Sequence, residues 1–392
     1  MLTLQRYSLL QGLQCSKCGQ SYHPETVHSF AACCNKPLTA NYDLASGISK
    51  PDIINYRDNS MWRYHTMLPV MDKQNIISLG EGMTPVLHLQ TIGKKYDLPQ
   101  LYLKDESLNP TGSFKARGLS VAVSKAKEMG IGSCVIPTAG NAGGAMSAYC
   151  AKAGIQATVI MPKHTPLVFQ QECTLYGAKL ILTQGLISDC GKLAKTIQQQ
   201  SGSFDMSTLK EPYRLEGKKT LGYEIAEQFD WQLPDVILYP TGGGTGLIAI
   251  WKAFREMIAM GWIENKLPRM IAVQADNCQP IVYSWKGLHA NASAYKGRAS
   301  LANGLAVPNP FGEDMIMQTL KQSSGTALAV TEAEMVSGVQ EIAAAEGILV
   351  APEGAAVFKG LQKLLADGFT DRDEKILLLN TGSGYKYLEN IF

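Results

Sequence analysis

No charge of one sign dominates this chain: its 392 residues carry 36 Lys and Arg against 34 Asp and Glu, a formal net charge of +2. Balanced charge without a basic run removes the electrostatic footprint that nucleic acid or an anionic membrane surface requires. No apolar run reaches membrane-spanning length, and the start, "MLTLQRYSLLQGLQC", lacks the apolar core of a signal peptide. The cytoplasm is therefore the expected compartment. Sequence repeats and low-complexity segments are absent as well. Charged residues make up only 18% and hydrophobic residues 45%, which describes a well-packed globular chain. Its length exceeds what one hydrophobic core usually serves, so two lobes with a small appendage are expected.

Cysteine is present in an odd number, nine, and a disulfide framework is not expected in a chain of this size and compartment. Cys134, Cys150, Cys173, Cys190 and Cys278 stand singly in apolar segments and read as small core residues. The other four cluster as "CSKC" at 15–18 and "CC" at 33–34, similar to half of a zinc ribbon. Cys15, Cys18 and Cys34 are the candidate ligands. An adjacent pair chelates poorly compared with a pair spaced by two residues, and His23 or His28 could substitute. The alternative is a metal-free vestigial hairpin.

Beyond this hairpin, short apolar runs end in Gly-rich turns and alternate with Ala-rich amphipathic stretches. The runs include "SCVIP", "ATVIMP", "KLILT", "DVILYP", "MIAVQ", "ALAV" and "KILLLN". Continuous apolar runs of this length suit strands buried on both faces of a parallel sheet, with helices between them. Thr331 with Glu334 forms a capping box that opens a helix, and Gly347 is its expected stop. The alternation is that of an α/β protein.

Ligands of open α/β sheets bind where strands hand over to helices. Four handovers carry unusual chemistry here. "NPTGSFKARG" frames one lysine, Lys115, with Pro, Gly and small hydroxyl residues. "TAGNAGG" at 138–144 offers approachable backbone N–H groups and the amide of Asn141. "TGGGTG" at 241–246 precedes a helix and would cradle an anion. "NTGSG" at 380–384 sets Thr381 or Ser383 at a strand end.

Taken alone, each has an ordinary explanation. The glycines could be a tight turn, or part of a dinucleotide site with Asp276 as the ribose acid, although the glycine spacing misses that pattern and the P-loop ending is missing. Lys115 could be a salt-bridged surface lysine. One ligand uses all four features together: pyridoxal phosphate, with an aldehyde, a phosphate, a ring hydroxyl and a ring nitrogen.

The chain resembles the tryptophan-synthase-like, fold type II pyridoxal-phosphate enzymes, and among them the threonine synthases, from about residue 78 to its end. "SLGEGMTPVLHL" is similar to the family's entry segment, "KDESLNPTGSFKARG" to its lysine motif, "TAGNAGG" to its Asn loop, and "EPYRLEGKKT" to its Arg-bearing stretch. The resemblance implies that Lys115 is the Schiff-base and catalytic residue, and that Asn141 bonds the ring hydroxyl. Gly242, Gly243, Gly244 and Thr245 would hold the cofactor phosphate, and Thr381 would face the pyridine nitrogen. Thr138 and the backbone through Ala142 would bind the substrate carboxylate, with Arg214 on the substrate phosphate.

The implied fold is two-lobed, each lobe an open, twisted, mostly parallel sheet flanked by helices, behind the Cys-containing hairpin of residues 1–45. Residues 46–125 and 215–392 would form the large cofactor-binding lobe and 126–214 a small mobile one. The implied activity is that of a lyase converting O-phospho-L-homoserine and water to L-threonine and phosphate, in a homodimer whose only other partner is its small amino-acid substrate.

Four positions depart from familiar members: Ala116 for Asp, Ala142 for Thr, the missing Asn-Pro before Arg214, and Ser383 for His. They keep open a threonine or serine dehydratase, or a β-replacement synthase similar to cysteate synthases. A nucleotide-binding regulatory module is the non-enzymatic alternative. His164 reads as a solvated loop residue, Glu353 as a helix-start charge, and Lys218 and Lys219 as surface or inter-lobe residues, one of which could assist Arg214.

Overall fold

Val236–Pro240 is buried along its whole length, as a strand covered on both faces must be. It lies in a six-stranded sheet ordered Thr326–Val330, Arg269–Ala275, Val236–Pro240, Ile376–Asn380, Leu101–Asp105, Val86–His88. The first five strands run parallel and the last is antiparallel. The computed structural model describes residues 7–44, 48–185, 187–288 and 295–391. The first six residues of the start discussed above, and the expected hairpin boundary at 45–46, lie outside these.

The chain divides into two compact units. One comprises Met1–Met83, Lys115–Tyr223 and Lys252–Trp262, the other Thr84–Phe114, Glu224–Trp251 and Ile263–Phe392. The six-stranded sheet belongs to the second. There the helix Pro352–Ala366 packs on the central strands. It comes close because it carries glycine at the contacts: a Cβ on Gly354 would meet Asn380 Oδ1 at 2.4 Å. The helix Glu332–Glu346 starts at the expected capping box, with Glu334 N–H donating to Thr331 Oγ1 and Thr331 N–H to Glu334 Oε2. It stops at Gly347, whose φ of 71° is the left-handed conformation that glycine adopts without cost.

The first unit holds two sheets. A four-stranded parallel sheet runs Lys179–Thr183, Gln156–Pro162, Ser133–Pro137, Phe204–Asp205. The helix Ile187–Ser201 covers it with Cys190, Leu193, Ala194 and Ile197, spaced as one helical face, against Val135, Ile160 and Ile181. The second sheet is the antiparallel hairpin Ser21–Tyr22, Leu10–Cys15, Leu38–Tyr42. The expected pair of mostly parallel sheets and the Cys-bearing hairpin are thus all present. All five scattered cysteines are buried and free, as core residues.

Candidate active site

In the first unit, Lys115 is the first residue of the helix Lys115–Glu128 and is half-buried. The strand Ser133–Pro137 delivers the Thr138 loop, where Gly140 N–H donates to Thr138 Oγ1 at 3.2 Å and turns the chain into the helix Asn141–Ala153. Gly143 permits this: a Cβ there would come within 2.7 Å of Met161 Cε and 2.9 Å of Thr138 Cγ2. Asn141 is half-buried and Ala142 buried at the helix start.

Arg214 and Lys218 project from the helix Tyr213–Gln228, whose first N–H groups, of Tyr213 and Arg214, are capped by Glu211 Oε2 at 2.7 and 3.0 Å. Arg214 Nη1 donates to the Met206 carbonyl, while its Nε–H is buried with no partner among the described residues. Burial pushes the Glu211 carboxyl up to about 7 against the opposing pull of Arg214.

Lys218 and Lys219, expected at the surface or between lobes, are both buried. Lys219 is neutralised by Glu216 at 2.7 Å and Glu256 at 3.0 Å, and lies 3.7 Å from the centre of the Tyr42 ring. Lys218 instead sits where burial, then Arg214 and Lys115, push its ammonium well below the usual lysine range. Both side chains lie inside because the helix Tyr213–Gln228 is buried over most of its length. His164 is exposed, as a loop histidine should be.

In the second unit, Thr241 follows the strand Val236–Pro240, and Gly242, Gly243 and Gly244 lead into the helix Thr245–Ala259. The glycines are sterically required. A Cβ on Gly242 would meet the Gly304 carbonyl O at 2.1 Å, and Gly244, at φ +70°, would meet Ile316 Cδ1 at 2.2 Å. Gly246 packs on Tyr239, whose hydroxyl is buried without a partner among the described residues. A glycine-lined helix start beside an orphaned buried hydroxyl suits a phosphate-bearing cofactor.

Thr381 ends the strand Ile376–Asn380. Phe114 N–H donates to the Thr381 carbonyl at 3.1 Å, and Ser383 N–H to the Gly112 carbonyl at 2.9 Å. Residues 112–114 are thereby zipped to 381–383, immediately before Lys115 in the chain. The Ser113 hydroxyl in this pairing is buried and has no partner among the described residues. Glu353 is more than a helix-start charge: its Oε1 accepts from Gly304 N–H at 2.8 Å and the Tyr387 hydroxyl at 3.0 Å, fixing the loop that backs Gly242.

In the hairpin, sulfurs of Cys15, Cys18, Cys33 and Cys34 all lie within 4.8 Å of one another, Cys18 and Cys33 being 3.5 Å apart. Cys33 was not among the sequence-derived ligands. The bridge between Ala31 and Lys36, with Asn35 at φ 52°, curls the adjacent pair so that both sulfurs face the "CSKC" knuckle. His28 bonds the His23 carbonyl instead. No helix among the described residues is long and apolar enough to cross a membrane.

Residues 77–382 match the family described as pyridoxal-phosphate dependent enzyme. A threonine synthase of Methanocaldococcus jannaschii is 34% identical over 376 residues, covering 95% of this chain and 92% of that protein. A threonine synthase of Methanosarcina acetivorans is 34% identical over 371 residues, covering 94% and 91%. Among solved structures, maize serine racemase aligns with a TM-score of 0.65 at 20% identity, covering 77% of this chain and 89% of that one, a likeness of fold.

Proposed function

The chain belongs to the pyridoxal-phosphate dependent enzymes, in their threonine-synthase branch, and from that membership we propose that it converts O-phospho-L-homoserine and water to L-threonine and phosphate. The observation that supports the reading is the zipper of 112–114 with 381–383, which joins the chain leading into Lys115 to the backbone of the strand-end residue Thr381. Bound pyridoxal phosphate supplies an electron sink for a carbanion at the substrate Cα.

Gly242, Gly243, Gly244 and Thr245 would hold the cofactor phosphate through backbone N–H groups at the helix start, and Asn141 its ring hydroxyl. Thr381 would offer the pyridine nitrogen a neutral hydroxyl in place of a carboxylate, moderating the sink. Lys115 would carry the cofactor, then take the Cα proton and, later, a Cβ proton. Thr138 and the backbone to Ala142 would orient the carboxylate. Arg214 would hold the phosphate as it leaves Cγ. Of the protons taken from Cα and Cβ and the one from water, one would go to Cγ, one back to Cα and one would leave with the products. Hydroxide from that water would add at Cβ, so that one water is consumed.

The four-stranded sheet falls within 126–214, which supports reading that stretch as the mobile lobe that closes over the substrate, with 46–125 and 215–392 as the large lobe. We expect a homodimer in the cytoplasm.

The hairpin cysteines would hold a structural zinc. Four thiolates at about 2.3 Å from one tetrahedral ion lie under 4 Å apart, close to the spacing of Cys18 and Cys33, and a closed four-sulfur shell leaves no open position for catalysis. Cys15, Cys18 and Cys34 would be joined by Cys33. Metal analysis of the purified protein should give one zinc per chain, lost in Cys33→Ser.

The functional test offers O-phospho-L-homoserine, L-serine, L-threonine and O-phospho-L-serine in parallel. Equal release of phosphate and threonine from the first is the expected result. Keto acid from serine or threonine, or sulfur-containing product from phosphoserine with sulfite, would move the enzyme to the dehydratases or β-replacement synthases. Ala142, which has no hydroxyl to offer a substrate phosphate, is the observation in their favour.

A further inference from the structure

Glu81 stands in the segment "SLGEGMTPVLHL", between two glycines in the left-handed region, Gly80 at φ 90° and Gly82 at φ 98°. A residue with a Cβ adopts that region only at a cost, so this turn needs glycine on both sides of the acid. The Glu81 carbonyl accepts from the Met61 N–H at 2.8 Å, which ties the turn to Met61–Met67, the short helical segment that holds Trp62. The Glu81 side chain is completely buried, in the same unit as Lys115 and Asn141.

A carboxyl group taken out of water is costly unless other donors replace the water. Four do so here. Oε2 accepts from the Leu79 N–H at 2.8 Å and the Tyr149 hydroxyl at 2.7 Å. Oε1 accepts from the Trp62 Nε1–H at 2.9 Å and the Ser120 hydroxyl at 2.5 Å. Two of these donors belong to the helices of the candidate site. Ser120 follows Lys115 by five residues on the helix Lys115–Glu128, and Tyr149 follows Asn141 by eight on the helix Asn141–Ala153.

Those two helices pack on each other. Apolar burial is non-directional. Hydrogen bonds from both helices to one planar carboxylate add direction, and so fix how far one helix slides along the other. Burial, and then the Glu81 carboxylate, raise the Tyr149 hydroxyl well above the usual tyrosine range, so it stays a donor at any working pH.

We propose that Glu81 is a positioning residue for the reaction: by accepting from Ser120 and Tyr149 together, it holds the amine of Lys115 and the amide of Asn141 in fixed register. This goes beyond the function proposed above and rests on it for the roles of Lys115 and Asn141.

The test uses the cofactor-loaded full chain as wild type, Ser120→Ala, Tyr149→Phe, the two combined, and Glu81→Gln. Each single change removes one donor from one helix and keeps the carboxylate. Misplacing reacting groups by about 1 Å costs up to about a hundredfold in rate, so kcat with O-phospho-L-homoserine should fall about threefold to thirtyfold in each, with KM within about threefold. Once either helix is released from Glu81 the shared register is gone, so the combined variant should lose much less than the product of the two. The visible circular dichroism of the bound cofactor, which reports its orientation without turnover, should change in each single variant and little further in the pair. Glu81→Gln turns an amide NH2 against the N–H of Trp62 or Leu79 and should match the pair; Ser120→Ala and Tyr149→Phe carry the test on their own where it does not fold. Losses that multiply in the pair, as two independent structural defects would, overturn the proposal. So does a lowered melting temperature with kcat and the visible dichroism unchanged, which makes Glu81 a strut of the fold alone. If wild type does not turn over O-phospho-L-homoserine but the dichroism behaves as expected, the reaction proposed above fails and the positioning stands.

Discussion

Lys218 and Lys219 are neighbours in sequence with opposite fates, and nothing in "EGKKT" separates them. Glu216 and Glu256 approach Lys219, whereas burial and then Arg214 and Lys115 act on Lys218. Lys115, Asn141, the glycine triplet and Thr381 could be singled out as candidates because each sits at a strand-to-helix handover, where small residues leave a recognisable trace. Cys33 was not legible, because the curl at Asn35 that turns it inward has no strong local signal.

Two predictions belong at this scale. Glu211 has its folded-state carboxyl raised from 4.5 to about 7 by burial, so the native state binds the extra proton between those values. Its contribution to stability is therefore fully present below about 4.5 and is lost as pH rises through about 7, by up to about 3 kcal/mol. Glu211→Gln, which keeps an acceptor for the helix cap, should flatten that decline in denaturant titrations run across this pH range. Gly242→Ala would drive a Cβ into the Gly304 carbonyl, so cofactor affinity should fall at least about tenfold with the far-ultraviolet dichroism retained. Unchanged cofactor affinity would show that the cradle is only a turn.

At the scale of elements, strands written as unbroken apolar runs could be read directly, and so could the helix between Thr331 and Gly347. Leu101–Asp105 could not. It carries Lys104 and Asp105, charges that argue against a buried strand until their partners are seen. Lys104 Nζ meets Glu224 at 3.0 Å, Gln228 Oε1 at 2.8 Å and the Thr84 carbonyl at 2.6 Å, while Asp105 Oδ1 accepts from Asn380 Nδ2 at 2.8 Å. Lys104→Ala should cost about 3–5 kcal/mol, because it strands the Glu224 carboxylate in the interior; Lys104→Ala paired with Glu224→Ala should cost less than the sum of the two. The exposed cap is a milder case. Thr331→Ala should cost about 1 kcal/mol, seen as faster hydrogen exchange in the first turn of Glu332–Glu346 with activity unchanged.

At the scale of the whole molecule, each unit is assembled from separated stretches of chain. The α/β class follows from local alternation, but which strands share a sheet depends on long-range pairing, such as Ile376–Asn380 lying between Val236–Pro240 and Leu101–Asp105. No shift in composition marks the passage from Phe114 to Lys115, where the chain leaves one unit for the other. The hairpin lies in the same unit as Lys115, tied to it through Tyr42, whose hydroxyl donates to Glu216 Oε2 at 3.0 Å. If the hairpin cysteines hold the proposed zinc, its removal by a chelator should lower the stability of that unit, and unchanged melting after complete metal removal would contradict a structural zinc.

The central claim is that Lys115 carries the cofactor. Reducing the loaded enzyme with borohydride would fix the cofactor covalently to its lysine, and peptide mass spectrometry would then identify that residue. The account predicts the added mass on the peptide containing Lys115 alone. The same mass on Lys218, or on any other lysine with Lys115 unmodified, would contradict it.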